Sequence, residues 1–163
     1  MIKKFAIQVA VLLIVAFTAL YLSFNQNLIK PLVPGNQVPT QTKVKINETL
    51  VNIEVADTAP ERSKGLSGRT SLANDSGMLF VFPESKKYQF WMKGMKFPLD
   101  LIFIQNGKVV DLIKAASPPP EGQDDTSLTI YEPTIPIDML LEVNSGFSGA
   151  NNIKVGDQVY LIK

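Results

Sequence analysis

From Lys43 onward, apolar and polar residues alternate with a period of two: Val44 and Ile46 between lysines, then Val51, Ile53 and Val55 around Asn52 and Glu54. That period places one set of side chains on each face of a strand, so two strands are predicted, with Asn47-Glu48-Thr49 as their turn. The alternation breaks at Thr58-Ala59-Pro60-Glu61. These residues read as a capping box with proline in the first helical turn, and the short helix they open ends near Gly65. Residues 78–82 are an unbroken apolar run of strand length, as expected for a strand covered on both faces. Residues 99–105, Asn106-Gly107 and residues 108–113 predict a hairpin, because Asn-Gly tolerates the left-handed conformations of a type I′ turn. Further strands are expected over 139–143 and 158–162, with a glycine-rich turn over 145–149 between them. Many short strands, one short helix and no βαβ spacing predict an α+β, mostly antiparallel domain. The expected form is a small closed barrel or sandwich with one or two short helices.

A different pattern precedes it. Residues 5–24 carry no charge, and as a helix such a run of about twenty residues crosses a bilayer core. Lys3 and Lys4 precede the run and the next basic residue is Lys30. The positive-inside rule therefore puts the N-terminus in the cytoplasm and the rest of the chain outside. Cleavage as a signal peptide fits less well, because Phe17 and Tyr21 stand where small residues are needed before Ala19 and Ser23. The organisation expected is a membrane anchor over 1–24, a Pro/Gln-rich linker over 25–42 and a β domain over 43–163. Such a protein is a single-pass cell-membrane protein whose C-terminal domain lies outside the cytoplasm.

Composition narrows the chemistry. The chain has no cysteine and no histidine, and its formal net charge is +1. Disulfides, thiol nucleophiles, histidine-based triads and imidazole or thiolate zinc sites are excluded. The near-neutral charge offers no field for nucleic acid. No cofactor or metal is implied: Glu121, Asp124 and Asp125 match no calcium-loop spacing, and Gly65-x-x-Gly68 lacks the lysine of a phosphate loop. The long loop over 115–136, with five of the eleven prolines, is of the kind used as a lid or a binding segment.

Ordered blocks along the domain carry a resemblance. They are Val55-Ala56-Asp57-Thr58, Gly65-Leu66-Ser67-Gly68-Arg69, Gly77-Met78-Leu79-Phe80-Val81-Phe82, Phe90-Trp91-Met92-Lys93, Pro98-Leu99-Asp100, Leu141-Glu142-Val143 and Val155-Gly156-Asp157. Together they resemble the domain-of-unknown-function family 192, also known as uncharacterised protein family 0127, over essentially all of residues 43–163. The resemblance implies a compact, largely β domain, often secreted or anchored, and brings no reaction, substrate or cofactor. This chain departs from the family pattern at Gly94-Met95, where relatives commonly have Asn-Thr, and over 117–136.

The candidate site follows from one placement. Asp100 stands in the apolar run 99–104, where a carboxylate must be solvated, paired or protonated. Arg62 and Arg69 are expected to reach it as counter-charges. Trp91, beside Lys93, Gly94 and Lys96, suits stacking on a sugar or an aromatic group, and Met92 adjoins it. Arg62, Arg69, Trp91, Met92 and Asp100 are therefore the expected lining of a site for a small anionic or carbohydrate-like ligand in a non-catalytic binding module. Two alternatives stand beside it. One is a hydrolase of envelope glycans that uses Asp100 with Asp138 or Glu142 as acid and base. The other is a protein-interaction domain that uses the proline-rich loop.

Overall fold

A computed structural model describes residues 42–162; the predicted anchor over 1–24 and nearly all of the predicted linker over 25–42 lie outside them. Among the described residues, no helix is long and apolar enough to cross a membrane. The elements are β1 (Lys43–Ile46), β2 (Thr49–Ala56), α1 (Ala59–Lys64), β3 (Ser76–Lys86), β4 (Leu99–Gln105), β5 (Lys108–Ala116), a 3-10 turn (Asp125–Ser127), β6 (Ile137–Asn144), α2 (Phe147–Ala150) and β7 (Val159–Ile162).

The strands form one seven-stranded sheet in the order β5-β4-β6-β3-β2-β1-β7. Every pairing is antiparallel except that of β2 with β3. That exception corrects the expectation that no βαβ unit is present. β2, α1 and β3 form one, with α1 too short and too polar for its period to announce the crossover. The sheet coils into a half-barrel instead of closing along its length. Its two ends meet at a single bridge, Lys108 with Gln158, flanked by Val109 N–H donating to Asp157 O at 2.9 Å and Gly156 N–H to Val109 O at 2.8 Å.

Local chemistry explains the elements. Thr58 caps α1 through a full capping box with Glu61, proline occupies the first turn, and Gly65 ends the helix at φ 48°. Asn106 and Gly107 both have positive φ, as a type I′ hairpin requires. The glycine-rich segment expected as a turn instead winds once as α2.

Both faces of the sheet are covered. Val44, Ile46, Val51, Leu79, Ile102, Ile104, Leu141 and Val143 fill the concave side. Phe80, Leu99, Leu101, Phe103, Ile137 and Leu140 pack on the convex side against Leu66, Met92 and the half-buried Tyr88, Phe90 and Tyr131. Strand residues of opposite parity thus enter two different cores, which explains the unbroken apolar runs of β3 and β4.

Candidate functional site

The convex layer contains a cleft of about 830 Å³ between α1, β3 and the segment 86–95. At one end, two turns clasp each other. Gly68 N–H donates to Gly94 O at 2.9 Å, and Met95 N–H donates to Met92 O at 3.1 Å. Gly94 has φ +70°, and a β-carbon there would lie 2.2 Å from Ser67 Oγ. Only glycine therefore permits this approach. One wall is aromatic: Phe82 stacks on Tyr88 with centroids 3.9 Å apart, and Phe90 meets Phe82 edge-on at 6.0 Å. Arg62 lies over Phe82 at 5.7 Å and Lys86 over Tyr88 at 5.1 Å. Lys64 and Lys93 also line the opening, so its rim carries four basic side chains. Of these, Lys86 pairs with Glu84 at 3.0 Å and Lys93 with Asp125.

Glu142, projecting from β6, is the one acidic side chain lining this cleft among the described residues. It is 9 % exposed and makes no side-chain hydrogen bond or ion pair among the described residues. Burial alone pushes its carboxyl up to about 8. At neutral pH the site therefore presents a largely protonated carboxyl, able to donate as well as accept a hydrogen bond. A perturbed acid in a cleft is a mark of functional sites.

The predicted residues separate into two groups. Arg62, Trp91 and Met92 line the cleft, with Trp91 57 % exposed and Met92 4 %. Arg69 and Asp100 do not line it, and the expected arginine–Asp100 pairing does not form. Arg69 forms a bidentate pair with Glu54, at 2.5 and 2.7 Å. Arg62 donates to the carbonyls of Asp57 at 2.5 Å and Val81 at 2.9 Å, tying α1 to β3. Asp100 is fully buried on the concave side, where its neighbour across β6 is Val143. Its carboxylate accepts from Ala115 N–H at 3.0 Å, Ser148 N–H at 3.0 Å and the Ser148 hydroxyl. Burial works against the charge, but these bonds outweigh it and hold the Asp100 carboxyl below the usual range. The arginines stand beyond the convex layer, and backbone donors satisfy the carboxylate instead.

Asp138 also fails to join Glu142. One of its oxygens accepts from Asn106 N–H at 2.9 Å, capping the β4–β5 turn, while the other is buried without a partner among the described residues. Asp138 does not line the cleft that Glu142 enters, so the two do not form an acid–base pair across it. Asp100 faces the other side of the sheet. The acidic loop residues are likewise accounted for: Asp124 caps the 3-10 turn, Asp125 pairs with Lys93, and no metal-binding group is found among the described residues.

In the sequence Glu142 carries the same signal as Asp100, a lone carboxylate in an apolar strand, and only the fold sets the two apart. Lys64, Lys86 and Tyr88 carry no such signal and come together only through the fold.

The profile of the family DUF192, described as an uncharacterised ACR, matches residues 41–161. The domain is similar to a protein from Sinorhizobium meliloti 1021 described as a proposed transcription regulator. That similarity is 27 % identity with a TM-score of 0.65, over 74 % of this chain and 92 % of the other. It is also similar to a protein of unknown function from Novosphingobium aromaticivorans DSM 12444. Identity there is 30 % and the TM-score 0.64, over 72 % of this chain and 83 % of the other. No curated protein matches the chain.

Proposed function

The chain belongs to the DUF192 family, and on that premise we propose that its domain is a small-ligand binding module. The ligand is anionic, with an apolar or sugar-like body. The observation that carries this reading is Glu142, a carboxyl without a side-chain partner among the described residues, on a cleft walled by aromatic side chains and rimmed by Arg62, Lys64 and Lys86. That carboxyl opens onto the cleft, so a ligand that hydrogen-bonds to it displaces only solvent. The cleft volume lies within the range of small-molecule sites. The uncharged run 5–24 supports the companion proposal, that the domain is held outside the cytoplasm on an N-in anchor joined by the linker 25–42.

A raised carboxyl is also the property of a general acid, but among the described residues no second carboxylate lines the cleft with Glu142. Binding without turnover is therefore the reading preferred over hydrolysis. A free proline-rich docking loop is disfavoured too. Phe90 and Tyr131 exchange backbone hydrogen bonds of 2.9 Å, pinning that loop to the cleft wall.

Trp91 is the sole tryptophan, so its fluorescence reports on the cleft directly. The relative from Sinorhizobium meliloti consists almost wholly of this domain, so the fragment 38–163 suits the test. Small anions, sugars and glycan fragments are titrated into it while thermal unfolding is followed. A true ligand quenches or shifts Trp91 and stabilises the fold by about 2.7 kcal/mol at a hundredfold excess over Kd. Lys86→Ala and Glu142→Gln, both still folded, lose that gain. A panel without any response, or a response unchanged in both variants, overturns the proposal.

A further inference from the structure

A second cavity, of about 300 Å³, lies beneath the proline-rich loop. Pro118, Pro119, Pro120, Leu128 and Tyr131 line it together with Met92, and among the described residues no charged side chain does. Met92 also lines the main cleft, so one side chain is the wall that the two spaces share. Methionine is unbranched and has three rotatable bonds, so it can swing aside without any backbone movement. Roof and cleft wall are one frame, joined by the Phe90–Tyr131 backbone pair and the Lys93–Asp125 ion pair. Three consecutive prolines hold the roof in shape before anything binds, which lowers the ordering cost of filling it.

We infer that the ligand of the cleft is an anionic amphiphile, whose acidic head lies at Arg62, Lys64 and Lys86 and whose unbranched apolar tail passes Met92 into the cavity under Pro118–Pro120. This rests on the reading of the cleft as a ligand site and names the class of ligand it takes. The basic rim selects the head, while the aromatic wall and the uncharged second cavity select the tail. Glu142 lines the same cleft and can add a hydrogen bond to the head.

The test is a series of alkyl phosphates from methyl to octyl, titrated into the fragment 38–163 at pH 6.5 and followed by Trp91 fluorescence. Affinity is expected to rise by up to about fourfold per added methylene, then level off once the second cavity is full. Thr129 is an exposed residue of that cavity, and Thr129→Phe fills part of it without touching the main cleft. That variant loses the chain-length gain, with methyl phosphate, too short to pass Met92, as the internal control. A wild-type series that binds with no dependence on chain length overturns the tail while leaving the anion site standing. An undiminished slope in Thr129→Phe does the same. If no member of the series binds, the anion site fails and the amphiphile with it.

Discussion

Two buried carboxyls set opposite pH behaviour. Glu142 has its pKa raised to about 8 in the fold, so the folded state holds its proton more tightly than the unfolded chain does. Its contribution to stability is then full below about pH 4.5 and is lost as pH rises through about 8, with a slope of about 1.4 kcal/mol per pH unit. Urea denaturation at intervals from pH 5 to 9 is expected to show this decline, and Glu142→Gln to abolish it. A wild type that is flat across the range would mean that Glu142 is solvated. Asp100 behaves in the other sense. Its lowered pKa makes its contribution present above the unfolded value and lost as pH falls through the folded one. At neutral pH, Asp100→Asn leaves buried N–H donors of Ala115 and Ser148 facing an amide, and should cost about 2–4 kcal/mol. The proposed ligand binding in the cleft should survive in any Asp100 variant that still folds, because Asp100 is on the far side of the sheet.

Two elements depend on particular backbone positions. In β5 the pairing with β4 slips between Leu99 and Leu101, and Ala115 in that bulge has φ 55°. An L-residue resists this conformation, and the Asp100 carboxylate stabilises it by accepting the bulge N–H. At the clasped end of the cleft, Gly94→Ala meets both the positive φ and the Ser67 hydroxyl. It should cost about 1–2 kcal/mol. A second change, Ser67→Gly, is expected to recover the steric part and leave the conformational part. Chemical denaturation of the single and double variants measures this coupling.

At the scale of the molecule, β7 covers the edge of β1 through four paired positions and brings Gln158 to Lys108, where the ends of the sheet meet. Deleting residues 158–163 exposes a bare strand edge and opens one end of the concave core around Val44 and Ile46. The truncated domain is expected to lose cooperative thermal unfolding or to self-associate, as free edges do. Calorimetry together with light scattering checks both outcomes.

What the sequence determined by itself is the local part. The capping box at Thr58, the Asn-Gly hairpin, the strand periods and the ordered family blocks are all properties of neighbouring residues, and each was legible because its physics acts over a few positions. The burial of Asp100 was also legible, since a carboxylate inside an apolar strand has few options. Its partner was not. Whether a side chain enters the concave or the convex core is a matter of strand parity, and which donors wait there depends on β5 and α2, which lie far along the chain. Glu142 became prominent for the same reason. Its isolation arises because Asp138 is turned to a hairpin cap and Asp100 to the opposite face. The cavity behind Met92 exists only once the loop 117–131 packs against the aromatic segment. The cleft and its basic rim exist only once the parallel β2–α1–β3 unit lays the helix beside that segment. That crossover is a long-range arrangement, stabilised by burial, and no short stretch of sequence encodes it.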